Sequence, residues 1–350
     1  RNWNALKLLN NNGEFISAND GEKLLNIANS NPNYNTDVKK GFVKFNSDYI
    51  DIHTDMILNL PSVEVDLIKK RKFKIVVDAV NSTGGIAVPN LLKKLDVNVV
   101  ELYCEPNGEF PHNPEPLKEN LTDLSNLVIK QKADLGIVVD PDVDRLAFVS
   151  ENGEVFGEEY TLVACSDYYL QNKPGNTVSN LSSSRALRDI TELNNCNHFF
   201  SAVGEVNVVE MMKNKNAVIG GEGNGGIILP ELHYGRDALV GIALFLSHLS
   251  RLNISCSRLR SNYPDYFMSK DKVKLNDNLD VESIIKNIAS SYSSDKTNII
   301  DGLKIDFDDS WVQLRKSNTE PIIRVYSEAK SQEEAEKLSK KFISEIKKFS

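Results

Sequence analysis

From Lys72 onward, short β-branched runs alternate with amphipathic helical stretches, and this alternation constrains the fold more than any other feature of the chain. Phe73–Val77 reads as a buried strand, Gly84-Gly85 as a turn, and Ile86–Leu95 as a helix. Val97–Tyr103 and Leu135–Val139 supply two further strands, with a helix over Leu121–Lys132 between them. Strands separated by helices pair in parallel, with helices covering the sheet, so the spacing predicts an α/β layer. A hairpin is expected next, Leu146–Val149 against Val155–Phe156, turning at Glu151-Asn152-Gly153.

A second α/β stretch begins with the helix Tyr160–Leu170. It has expected strands near Thr177–Asn180, Phe199–Val203 and Ala217–Ile219, and helices near Arg185–Leu193, Val206–Lys213 and Asp237–Ser250. No internal repeat is visible in the sequence. After Pro264 the order changes to strand, helix (Val281–Ser291), three short strands and a final helix. Ser331 and Glu334 form a capping box for that helix, and Ala335, Leu338, Phe342, Ile346 and Phe349 follow helical spacing. This last part reads as α+β. Residues 1–57 are polar and Asn-rich, with a helix near Gly21–Ser30, and read as the remnant of an earlier α/β domain. The expected division is therefore 1–57, then α/β domains over 58–156 and 157–260 with mixed or parallel sheets, then an α+β domain over 264–350, joined by one connection near Arg258–Pro264.

Composition excludes some classes. A net charge of −8 with no clustering of Lys and Arg argues against nucleic acid as a partner. The longest apolar run, Ala238–Leu246, is well short of the roughly 20 residues that span a bilayer, so no membrane partner is expected. The four cysteines are widely spaced, without a CxxC pair, which suits a reduced, cytoplasmic setting.

Three loops carry chemistry. Asp140-Pro141-Asp142-Val143-Asp144-Arg145 leaves an expected strand at its carboxyl end, where open α/β sheets build their sites. Alternating carboxylates are hard oxygen ligands suited to Mg²⁺, whereas a solvated acidic turn would leave like charges crowded. An EF-hand reading fails because Arg145 stands where that loop needs Gly. Gly220-Gly221-Glu222-Gly223-Asn224-Gly225-Gly226 again follows a strand; Glu222 can accept from sugar hydroxyls, and Asn224 can donate or accept. Arg315-Lys316-Ser317-Asn318-Thr319-Glu320-Pro321 offers a bidentate guanidinium and several donors for a phosphate.

Together, in this order, the three loops resemble the metal, sugar and phosphate loops of the α-D-phosphohexomutase family, which includes phosphoglucomutases, phosphomannomutases and phosphoglucosamine mutases. The resemblance extends over nearly the whole chain. It implies reversible phosphoryl transfer between C6 and C1 of a hexose phosphate, with Mg²⁺ and a hexose 1,6-bisphosphate as intermediate and activator. Asp140, Asp142 and Asp144 would hold the metal, and Arg145 would contact the transferring phosphoryl group. Glu222, Asn224 and, more weakly, Glu205 would hold the sugar. Arg315, Ser317, Asn318 and Thr319 would anchor the other phosphate. Asn4-Ala5-Leu6-Lys7 resembles the segment just after the family's catalytic serine, with Lys7 balancing charge there. The serine would precede Arg1, so the resemblance implies an N-terminally truncated chain without turnover of its own, a monomer or weak homodimer. Two other readings stay open at this point: a sugar-phosphate binder without turnover, and a Mg²⁺ phosphatase with Asp140 as nucleophile. The sequence does not assign the hexose.

Overall fold

The structure is a computed structural model that describes residues 6–33, 41–274, 281–292, 294–317 and 322–348. Before the first sheet come α1 (Ala18–Asn29), α2 (Tyr49–Leu58) and α3 (Val65–Arg71). The sequence reading assigns no helix to the last two. In α2, Ile50, Thr54, Ile57 and Leu58 recur at helical spacing. Thr54 and Ile57 are fully buried, with Ile50 and Leu58 packed against the core, and Ile68 of α3 is fully buried too.

The first sheet takes β1 (Lys74–Asp78), α4 (Gly84–Lys94), β2 (Asn98–Leu102), α5 (Thr122–Gln131), β3 (Leu135–Val139) and β4 (Leu146–Ser150), with strand order β2-β1-β3-β4. β1 runs parallel to β2 and β3, while β4 is antiparallel to β3. The hairpin expected between Leu146–Val149 and Val155–Phe156 forms as a short one. Val149 bridges Val155 in antiparallel fashion, and the Ser150 and Phe156 N–H groups donate to the Glu154 and Phe148 carbonyls, both at 2.8 Å. What the sequence does not announce is that β4 pairs more extensively with β3 on its other edge. Leu146–Ser150 is buried throughout and pairs along its whole length with the equally buried β3, which removes more apolar surface from water than a two-residue ribbon could.

The second unit has α6 (Glu158–Asn172), β5 (Asn176–Asn180), α7 (Ala186–Leu193), β6 (His198–Ser201), α8 (Glu205–Lys215), β7 (Ala217–Glu222), β8 (Gly226–Ile228), α9 (Ala238–Leu252) and α10 (Cys256–Arg260). Its sheet runs β6-β5-β7-β8, parallel except for the final β7–β8 pair. This is the topology of the first sheet over again. A repeat that the sequence does not display is therefore present in the backbone, and the aspartate loop (β3 to β4) and the glycine-rich loop (β7 to β8) occupy equivalent places in it.

The two units share a core. α9 is buried from Ala238 through Ser250 and packs on α6. Phe245 from α9 stacks on Phe148 of β4 with centroids 3.7 Å apart, and meets Phe156 edge-on at 5.1 Å.

The C-terminal unit adds β9 (Phe267–Lys274), α11 (Val281–Ser291), β10 (Lys296–Asn298), β11 (Leu303–Asp306), β12 (Trp311–Lys316), β13 (Ile322–Ala329) and α12 (Gln332–Lys348). Its antiparallel order is β10-β11-β12-β13-β9, with four strands after α11 where three are expected. Ser331 caps α12 through the Glu334 N–H at 3.2 Å. Ala335, Phe342 and Ile346 are buried beneath that helix. This unit is tied to the second one by more than its connecting chain. Lys304 donates to the Leu181 carbonyl at 2.9 Å, Ser182 to Gln313 at 2.6 Å, and the buried Arg185 to Asp306 and three carbonyls of the β11–β12 turn. Among the described residues, no helix is long and apolar enough to cross a membrane.

Candidate functional site

Asp140 ends β3, and its side chain shapes the loop that follows. Oδ1 accepts the backbone N–H groups of Asp144 and Arg145, both at 3.0 Å. That clamp puts Val143 in the left-handed region at φ 62°. A β-branched residue there costs about 1–3 kcal/mol, the kind of strain that persists where surrounding structure enforces a loop for another purpose. The loop gathers one oxygen each from Asp140, Asp142 and Asp144 within 4.8 Å of one another.

Burial and the neighbouring Asp144 push the Asp140 carboxyl up to about 8. Burial also opposes ionisation of Asp144, but Arg236 and Lys7 hold it below the ordinary carboxylate range. Asp144 Oδ1 is buried without a hydrogen-bond partner. A crowded set of oxygen donors, one of them orphaned, fits a small hard dication. Lys7 lies at the same place: its ammonium pairs with Asp142 and, at 3.1 Å, with Asp144. Arg145 turns partly aside, its Nη1 reaching Glu115 at 3.1 Å while Nε stands 3.8 Å from Asp140.

The glycine-rich loop sits against this one. The Leu146 N–H donates to the Gly225 carbonyl at 3.2 Å. Gly225 has φ 86°, and a Cβ there would stand 2.1 Å from the Leu146 carbonyl oxygen, so only glycine allows the approach. Glu222 is buried at the end of β7 and accepts three donors: Asn180 Nδ2 at 2.8 Å, the Gly204 N–H at 3.3 Å, and Arg236 Nη1 at 3.0 Å. About one acceptor position of the carboxylate is left over. Asn224 Oδ1 accepts the Gly226 N–H at 3.2 Å.

Arg236 joins the two loops. Besides Glu222, it donates to Glu205 at 2.8 Å from Nε and to Asp144 at 2.6 Å from Nη2. Glu205, first residue of α8, is raised above its usual value by burial, with Arg236 opposing. The sequence singles out Tyr234-Gly235-Arg236-Asp237 only as a pattern and gives Arg236 no role. Nothing local signals that it will reach loops 92 and 14 residues away.

Arg315 lies on β12 opposite Arg324 on β13. Its Nε contacts both oxygens of Asp301, at 3.0 and 2.9 Å. Ser317 is buried and donates its N–H to the Ile322 carbonyl at 3.0 Å, closing the loop across the strand ends. Asn318 and Thr319 lie outside the described residues.

A cavity of about 430 Å³ opens between these loops. Asn180, Ser182, Glu222, Gly223 and Asn224 form one wall; Lys270, Arg315, Ser317, Arg324 and Tyr326 form the other, with Glu159 beside Gly223. The three aspartates are not in the lining and join the cavity through Arg236. Burial pushes the Glu159 carboxyl up to about 8, although Lys270 opposes the shift. With Glu159 largely neutral near pH 7, the charged lining side chains are the cations Lys270, Arg315 and Arg324 and the Glu222 carboxylate. Asp301 and Glu158 partly offset Arg315 and Lys270, and Arg236 offsets Glu222, which leaves Arg324 and the free guanidinium edge of Arg315 facing an anionic ligand. Its size is that of an ordinary small-molecule site. Glu159, Lys270 and Arg324 escape sequence reasoning because each sits in a stretch without a motif. Only the inward register of Arg324, directly across from Arg315, hints at its place.

The chain matches three family descriptions in succession. They are phosphoglucomutase/phosphomannomutase alpha/beta/alpha domain II over residues 51–153, domain III over 157–266, and the C-terminal domain over 271–345. A phosphoglucomutase/phosphomannomutase from Thermococcus kodakarensis is 37% identical over 280 residues, 78% of this chain and 60% of that protein. A phosphoglucosamine/phosphogalactosamine mutase from Sulfurisphaera tokodaii is 32% identical over 295 residues, 83% of this chain and 64% of its own length. The chain thus spans under two thirds of both relatives. A crystal structure of a phosphoglucomutase/phosphomannomutase family protein from Burkholderia thailandensis superimposes with a TM-score of 0.80 at 24% identity, covering 95% of this chain and 70% of that one.

Proposed function

This chain belongs to the α-D-phosphohexomutase family, and on that premise we propose that its cavity binds a hexose phosphate for reversible phosphoryl transfer between C6 and C1 through a hexose 1,6-bisphosphate. The observation that carries this reading is Arg236, which links Asp144 of the metal-type loop to Glu222 of the sugar-type loop beside a cavity lined by Lys270, Arg315 and Arg324.

Phosphoryl transfer asks a protein for positioning and charge neutralisation rather than covalent help. Arg315 and Arg324 grip the phosphate that is not reacting, with Ser317, Asn318 and Thr319 as further donors. Glu222 and Asn224 take sugar hydroxyls. With three of its acceptor positions filled, Glu222 either uses the remaining one or exchanges Arg236 for a hydroxyl. Glu205 holds Arg236 in place. Asp140, Asp142 and Asp144 would hold Mg²⁺, which would supply charge neutralisation at the transferring group. Lys7 and Arg145 add positive charge at that end. The two phosphates of the intermediate exchange ends, so the sugar contacts must accept either orientation. A phosphatase with Asp140 as nucleophile would leave the glycine-rich loop and the cation-lined cavity without a role.

A coupled assay on the full protein tests the reading, with Mg²⁺, glucose 1,6-bisphosphate and the 1-phosphates of glucose, mannose and glucosamine in turn. The expected result is conversion of at least one to its 6-phosphate, lost on Arg315→Ala. Conversion of none, with inorganic phosphate released instead, would overturn it.

A further inference from the structure

Away from the cavity, three side chains from separate elements converge. His53 lies on α2, His233 in the loop after β8, and Asp237 caps α9. Asp237 Oδ2 is 2.7 Å from His53 Nε2 and 3.1 Å from His233 Nε2. One ligand atom from each lies within 4.8 Å of the others.

The carboxylate is held for this arrangement. Its Oδ1 accepts the N–H groups of Leu239 at 2.8 Å and Val240 at 3.2 Å, which fixes the plane and leaves Oδ2 aimed at the imidazoles. The backbone N–H of His233 donates to the Leu229 carbonyl at 3.0 Å, which anchors the turn that carries the imidazole. We propose that His53, His233 and Asp237 form a second metal site, of a different class from the aspartate loop, that takes a borderline transition-metal dication such as Zn²⁺.

Two imidazoles and one carboxylate select that class, whereas Mg²⁺ prefers a set made of oxygen alone. In a tetrahedral site with bonds of about 2.0–2.1 Å, ligand atoms stand roughly 3.3 Å apart. From 2.7 and 3.1 Å the two carboxylate–imidazole separations need to open by about 0.6 and about 0.2 Å, with the two imidazole nitrogens, within 4.8 Å of each other, drawn onto the same ion. The His53 and His233 side chains are 31% and 41% exposed, so the outer side is open to water as the fourth ligand. The metal would pin α2 to the loop that carries Arg236, the residue next to Asp237. It would thereby stiffen the link between Asp144 and Glu222 from outside the cavity.

The test is equilibrium dialysis with Zn²⁺ alone, then with Zn²⁺ in a large excess of Mg²⁺ to fill the aspartate loop, followed by metal analysis. Co²⁺ replaces Zn²⁺ in a parallel optical titration. The expected result is one Zn²⁺ retained against Mg²⁺, and a visible Co²⁺ band from nitrogen ligation. His53→Gln and His233→Gln each weaken retention at least tenfold and abolish the band, while Asp142→Asn keeps both. Circular dichroism confirms that the variants fold, and two variants on different elements guard against a local defect in either. Failure to retain Zn²⁺ in Mg²⁺, or retention unchanged in both histidine variants, would overturn the proposal. The mutase reading stands or falls separately, by turnover.

Discussion

Arg236 donates from Nη2 to Asp144 Oδ2 at 2.6 Å, a contact that spans 92 residues of chain and fastens one strand-end loop to its counterpart in the repeated sheet. Three carboxylates, Asp144, Glu205 and Glu222, meet on this one guanidinium, each side chain about a tenth exposed. Lys7 also reaches Asp144, and Asn180 and Gly204 also donate to Glu222, so Glu205 relies on Arg236 most. Removing one partner of a buried ion pair leaves the other charge uncompensated, at about 3–5 kcal/mol. Arg236→Met should therefore lower unfolding stability by that order in urea titration and weaken hexose phosphate binding as well. Unchanged stability would mean that the carboxylates are satisfied without Arg236.

Metal binding should follow the aspartate loop. Asp142 is the exposed member of the trio, so Asp142→Asn removes one ligand with little expected cost to folding. Mg²⁺ affinity, read by calorimetry, should fall at least tenfold, about 1.4 kcal/mol. An unchanged affinity would remove the site from this loop.

Arg315 should discriminate phosphate from sugar. Arg315→Ala should weaken hexose 6-phosphate binding by about 1.5–3 kcal/mol, the usual value of a charge-assisted hydrogen bond. Free hexose should bind the variant and the parent equally. An equal loss for both ligands would mark a folding defect.

Much of this was legible in the sequence for physical reasons. β1 and β3 are continuous apolar runs because both faces of a central parallel strand are covered, and such runs stand out. The aspartate loop was readable because three carboxylates at alternate positions have few purposes other than a cation. The β3–β4 pairing was not readable. Gly153 and its neighbours signal a turn, and nothing local says that the strand before the turn finds its main partner on the far side of the aspartate loop. α2 was missed because the polar, Asn-rich residues before it set the reading of the whole segment, although Ile50, Thr54, Ile57 and Leu58 follow helical spacing; α2 and α3 both pack on α9. Arg236, Glu159, Lys270 and Arg324 acquire meaning only once distant strands bring them to the cavity.

Glu159 gives a pH dependence. Its carboxyl is raised by burial from 4.5 to about 8, so the folded chain keeps a proton there that the unfolded chain has lost. Its contribution to stability is complete below 4.5 and is lost as pH rises through about 8. The same ionisation places a carboxylate beside Lys270, which weakens the field that holds a phosphate. The second ionisation of a phosphate monoester lies near ~6, so the ligand itself is already a dianion in this range. Hexose 6-phosphate affinity should fall several-fold, on the order of 1 kcal/mol, as pH rises through about 8. Glu159→Gln should flatten that profile. A slope retained in Glu159→Gln would assign it to another group.

The central claim is that the glycine-rich loop and the loop after β12 form one hexose phosphate site. A crystal structure of the protein soaked with a hexose 6-phosphate tests it most directly. The account predicts the phosphate between Arg315 and Arg324, with sugar hydroxyls on Glu222 and Asn224. A phosphate bound elsewhere, with the cavity left to solvent at saturating ligand, would contradict it.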